Sequence, residues 1–219
     1  MQTELRHPRR MYAKREQPPC VDHERLPPII RGLACAALLC GHTMKTLSET
    51  QALEKLHQRK TEFAASIRTR YEHRAKECST CGTPGACCLD AHFVNVHITR
   101  LEATAIRRTL ETLPEEKRAQ VRDRIASAIT TYGLSDGSDT FSQTYACPLF
   151  EKGTGCLVHR QGKPLPCIAH ACYENKEDLP PDTLLAEQEG LVEKLNELTY
   201  LKRATWLPLP IALREERQP

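Results

Sequence analysis

Aromatic residues are scarce in this sequence: they fill 5% of its 219 positions, and only one is tryptophan. Large rings carry much of the buried area in most domains, so a chain this poor in them needs another source of cohesion, and bound metal is one. Long apolar runs are also missing. The most apolar stretch, Leu33–Cys40, is eight residues long, against the roughly 18 or more that span a bilayer. It follows a polar, proline-rich stretch and precedes no A-x-A-like cleavage site, so it reads neither as a membrane anchor nor as a signal peptide. Charge of one sign is thin as well. The formal net charge is +3, and the basic group His7-Pro8-Arg9-Arg10 falls short of the dense basic face of a nucleic-acid binder. No phosphate-cradling Gly-rich loop, dinucleotide fingerprint or nucleophile elbow occurs. The acidic residues Glu115-Glu116 and Glu187/Glu189 fall on helical faces, so no catalytic residue is nominated.

Cysteine is the residue in excess, with eleven in the chain. With no export signal, the default compartment is the reducing cytoplasm, where many cysteines point to metal or redox chemistry before disulfides. Eight of them form two groups. The first holds Cys78-Ser-Thr-Cys81 and, five residues on, the vicinal Cys87-Cys88; the second holds Cys147, Cys156, Cys167 and Cys172. In a C-x2-C pair the chain turns back so that both sulfurs can face one ion at about 2.3 Å. Adjacent cysteines rarely bridge each other, because the ring strains the peptide bond between them. Cys20, Cys35 and Cys40 stand apart and read as inert.

The spacing bears on the metal. A zinc ribbon pairs two C-x2-C knuckles, and only Cys78/Cys81 makes one here. Iron–sulfur ligation tolerates uneven intervals, since the inorganic core sets the geometry and loops wrap around it. An iron–sulfur cluster is therefore favoured over zinc. Of the histidines near the groups (His92, His97, His159 and His170), His170 in Cys167-Ile-Ala-His-Ala-Cys172 is the best placed. With His159, it reads as a residue that orients a ligand from behind rather than as a ligand.

The expected fold is mostly helical, with irregular Cys/Gly/Pro-rich loops and a short strand or hairpin: a small metal-stapled domain with helices at both ends. Residues 1–43 carry Pro8, Pro18, Pro19, Pro27 and Pro28 without sustained period and read as disordered, or as an over-extended leader before a true start at Met44. A helix over 44–77 opens on a Thr46-Leu47-Ser48-Glu49 capping box and carries Leu53, Leu56, Phe63, Ile67 and Tyr71 on one stripe. The metal domain spans 78–175. Within it, Val94, Val96 and Ile98 suggest a strand, and a second capping box at Thr99–Glu102 opens a helix that stops before Pro114. Another helix runs from Glu115 to Tyr132 with Gly133 as its cap, and Lys152–Gly155 offers a hairpin turn. After Pro180-Pro181 a helix over 182–203 carries Leu184, Leu191, Leu195 and Leu198. It packs on the cysteine core or presents a seam to a protein partner.

These residues resemble the YkgJ-type cysteine-cluster family, described as a zinc- or iron-chelating domain with a CxxCxxCC-like signature. The family pattern is a C-x2-C, a vicinal Cys-Cys, a strand leading into a Thr-x-x-Glu-Ala helix, and a Cys-Pro-Phe-Leu segment before the remaining cysteines. Here these stand as Cys78–Cys81, Cys87-Cys88, Thr99-Arg-Leu-Glu102-Ala103 and Cys147-Pro148-Leu149-Phe150, followed by Cys156 and Cys167. Lys163-Pro164 replaces the family's Arg-Pro. The resemblance covers about residues 76–175 and implies metal chelation; the ligands expected are Cys78, Cys81, Cys87, Cys88, Cys147, Cys156, Cys167 and Cys172. The role expected is structural, metal- or redox-sensing, or electron-carrying. One branch of the family, the flagellin lysine methylases, makes a metal-dependent protein-lysine N-methylase the alternative; a zinc-stapled adaptor presenting the 182–203 helix is a third reading.

Overall fold

The first helix starts two residues later than its nearest cap signal implies. In the computed structural model, residues 46–77, 85–89, 95–136, 140 and 143–214 are described, and all of them belong to the unit Thr46–Pro219. Helix α1 (Glu49–Arg70) is capped by Ser48, whose hydroxyl accepts from the Gln51 amide while the Gln51 side chain returns to the Ser48 amide. Thr46 is not the cap, because the Leu47 amide is held by the Leu198 carbonyl at 3.1 Å and the same S/T-x-x-E/Q chemistry is met by Ser48 and Gln51. Nor does α1 reach Glu77. After Tyr71 and a 3-10 turn, strand β1 (Ala75–Lys76) pairs antiparallel with β5 (Cys172–Tyr173), which requires extended backbone.

Between those strands lie three more short strands and three helices. Strand β2 (His97–Ile98) leads into α2 (Arg100–Glu111), whose capping box of Thr99 and Glu102 forms as expected. Helix α3 (Glu115–Tyr132) ends at Gly133, φ +60°. Strands β3 (Phe150–Glu151) and β4 (Gly155–Cys156) make the hairpin, and α4 (Leu165–Ala169) follows. The last helix, α5 (Asp182–Tyr200), stops short of Arg203, with Leu201 left-handed at φ +54°. Sequence reasoning nominated nothing beyond it. Yet strand β6 (Leu207–Pro208) pairs with β2, and α6 (Leu209–Leu213) buries Leu209, Ile211 and Leu213. Helix accounts for 59% of the described residues and strand for 8%, so the fold is mostly α. No described helix is long and apolar enough to cross a membrane.

Two apolar cores share α2 as their wall. Leu101 on one side joins Leu56, Phe63 and Ile67 of α1 with Leu185, Val192 and Leu195 of α5. Ala103, Ile106 and Leu110 on the other join Val121 and Ile125 of α3, Leu149, Val158 and α6. On α5 the buried face is Leu185, Val192, Leu195 and Asn196, with Leu184, Leu191 and Leu198 half-buried. The helix is covered from several sides, so its buried face does not follow one leucine stripe. Polar ties fix the wall. Asn196 accepts from the Leu101 amide at 3.0 Å, and Lys60 of α1 meets Glu102 at 2.9 Å with both side chains nearly dry. The fully buried Tyr145 hydroxyl donates to the Val96 carbonyl (2.5 Å) and accepts from the Leu209 amide (3.1 Å), joining three segments two residues before Cys147.

Candidate metal centre

Gly85 opens the turn that carries the vicinal pair. Its φ of +82° is left-handed, and a Cβ there would overlap the Phe150 ring, so the bare backbone lies against the outer end of the ring. The 3-10 turn Ala86–Cys88 follows, closed by the Cys88 amide on the Gly85 carbonyl at 2.8 Å. Phe150 stands three residues after Cys147, so this contact docks the first cysteine group on the second. A direct bond repeats the link: the Cys147 amide donates to the Cys88 carbonyl at 2.8 Å.

The second group is folded around its sulfurs. The Phe150 amide donates to the Cys147 carbonyl at 3.1 Å, and the amides of Leu149 and Phe150 both face the Cys147 sulfur. Across the hairpin Cys156 sits opposite Phe150, with the Val158 amide on its sulfur. Inward-turned amides of this kind stabilise thiolate charge and tune sulfur-bound metals. Cys167 lies in α4, beside Pro166 in the first turn. Cys172 lies in β5 opposite Lys76, the strand residue two positions before Cys78.

Electrostatics tie the sulfurs into one neighbourhood. Cys87 accepts from the Cys88 thiol and from His170, which together hold it down to about 4. The same Cys88 bond, with burial, pushes Cys88 up; the charges of Cys147, Cys87 and Cys167 add to it. Burial pushes Cys147 up to about 12 against the Leu149 amide, and Cys156 bears on it. Cys167 is raised by burial and then by Cys147, and Cys156 by burial, with Cys87 within reach. A cation placed among such thiols reverses that order, since coordination deprotonates a thiol outright. None of the six described cysteines of the two groups is in a disulfide, and each is half-buried. As they stand, no three His, Cys, Asp or Glu side chains among the described residues form a group that could hold a metal ion. Cys78, Cys81 and His92 lie outside the described residues, as do residues 1–43.

The other histidines part company. His170 hydrogen-bonds to the Cys87 sulfur. His159 is largely exposed, its amide on the Cys156 carbonyl at 3.1 Å; partial desolvation of its ring and then Lys163 hold its pKa below the usual range. His97 is buried in β2, 2.9 Å from the Thr140 hydroxyl. Three cations that sequence reasoning did not nominate bear on the second group: Arg124 on Cys147, Lys163 on Cys156 and Cys167, and Lys60 on Cys167. Arg124 and Lys60 come from distant helices and follow no spacing rule relative to the cysteines. Only Lys163, four residues before Cys167, stands in a sequence motif, as the Lys-Pro in place of the resembled family's Arg-Pro, without being nominated there as a site residue. No family model matches the chain, and neither the curated proteins nor the solved structures compared with it give a match.

Proposed function

We propose that this chain is a cysteine-cluster metal-binding protein of the YkgJ type, its centre formed by thiolates of Cys87, Cys88, Cys147, Cys156 and Cys167, together with Cys78, Cys81 and Cys172. The observation that carries this reading is the convergence of Cys87, Cys88, Cys147, Cys156 and Cys167. They come from three separate stretches of chain, meet through the Cys88–Cys147 backbone bond, and are all free thiols. Buried cysteines can be plain apolar filling, but filling does not call for backbone amides turned onto the sulfurs or an imidazole on the Cys87 thiol. The metal is an iron–sulfur core rather than zinc, because one regular knuckle and uneven intervals suit a ligand set arranged by an inorganic core. The centre staples the two groups and senses or carries metal or electrons, in a reducing cytoplasm where such thiols stay free.

The test is anaerobic purification followed by elemental analysis, acid-labile sulfide and an absorption spectrum. Iron and sulfide in matching amounts, with broad visible absorption, are expected. Zinc without sulfide would replace the inorganic core while leaving the thiolate centre. Protein that retains neither metal, and takes up neither on reconstitution, refutes the proposal.

A further inference from the structure

Helix α3 sends one charged side chain to the cysteine turn. The Arg124 Nε–H donates to the Pro148 carbonyl at 2.8 Å, immediately after Cys147. Its Nη2 is buried and has no hydrogen-bond partner. A guanidinium presents five donors in a rigid planar fork, and a buried charged donor left unsatisfied is costly. The position therefore calls for an acceptor. Two acceptors lie within electrostatic reach of Arg124: the Glu151 carboxylate and the Cys147 sulfur, which is a neutral thiol until a metal binds it. Glu151 has one oxygen committed to Lys117 and the other buried without a bond.

We infer that Arg124 is a positioning residue of the metal centre: it holds the Cys147 turn through Pro148, and its remaining buried donor is satisfied by a sulfur of the loaded centre. This rests on the metal-thiolate reading. The chemistry is one-sided. A neutral thiol is a weak acceptor, whereas a metal-bound thiolate or bridging sulfide carries the charge that a guanidinium matches. Arg124 then favours the loaded state over the empty one. The role differs from that of the Leu149 and Phe150 amides, because it comes from another helix and carries full charge.

The full-length chain, loaded with Zn²⁺, is challenged with a chromophoric chelator, and a Co²⁺-loaded sample gives the thiolate-to-metal charge-transfer spectrum. Arg124→Gln is expected to weaken Zn²⁺ retention by about 10–100-fold, as loss of a ligand-orienting partner does, and to shift the Co²⁺ band. Arg124→Lys keeps the charge without the fork and should recover part of the band position but little of the retention. Glu151→Gln, the control for the other acceptor, should behave as the parent does. Far-UV circular dichroism establishes that each variant keeps its helices. An Arg124→Gln protein that holds Zn²⁺ like the parent with an unshifted band overturns the inference, as does a Glu151→Gln protein equally impaired. A parent chain that takes up neither ion overturns this inference, and one that also takes up no iron and sulfide on reconstitution overturns the metal reading with it.

Discussion

Replacing Gly85 with alanine tests the docking of the two cysteine groups through a single methyl. Two penalties add at this site. Left-handed backbone costs an L-residue about 1–2 kcal/mol, and Gly85 sits at φ +82°. The new Cβ also falls on the Phe150 ring carbons Cζ and Cε2, and forced overlap in a filled site costs about 1–3 kcal/mol. The expected loss is therefore about 2–5 kcal/mol. Gly153 supplies the control, because its φ is +84° yet nothing lies within 4 Å of a Cβ built there; Gly153→Ala should lose only the backbone part. At roughly 2–4 °C per kcal/mol for a chain of this size, thermal melts followed by circular dichroism separate the two variants readily. Pairing Gly85→Ala with Phe150→Leu should return part of the difference. Equal losses for the two glycine variants would refute the claim that Gly85 is pressed against Phe150.

The other expectations are briefer. Cys147→Ala should lower the melting temperature about as far as chelation of the parent does, and chelation should then add little; Cys35→Ala should melt like the parent. Glu102→Ala leaves Lys60 charged in a site where both side chains are nearly inaccessible, so urea titration should show a loss of about 3–5 kcal/mol, most of it recovered when Lys60→Met accompanies Glu102→Leu. Leu201→Gly should raise stability by roughly 1 kcal/mol, because Leu201 holds φ +54° with 61% of its surface exposed, and glycine adopts that backbone without strain.

Local rules were readable where local forces decide. The Thr99 capping box, the Gly133 cap and the hairpin around Lys152–Gly155 all depend on residues within a turn of one another, and all form. Where a partner far along the chain decides, the sequence was silent or misleading. Helix α1 ends early because β1 is claimed by β5 about a hundred residues on. The core role of Leu209–Leu213 follows from a return to β2 that no period announces. For the centre, residue types and spacing marked the cysteines and His170, but the cations brought to them from other helices (Arg124 and Lys60) depend on how those helices cross. Glu102 shows both cases at once: its capping role is written in Thr99-Arg-Leu-Glu102, while its pairing with Lys60 is not.

The Cys88–Cys147 bond has a consequence for the order in which the molecule is made. It joins positions about sixty residues apart, so a metal held by both groups, as proposed, would act as a cross-link around a loop of that length and remove roughly 4 kcal/mol of chain entropy from the unfolded ensemble. The loop contains all of α2 and α3. A growing chain can offer only the first group until Cys147 has left the ribosome, by which time both helices have been synthesised. Under the proposed reading the clamp would therefore close late, on helices already able to form, and fix their arrangement rather than start it.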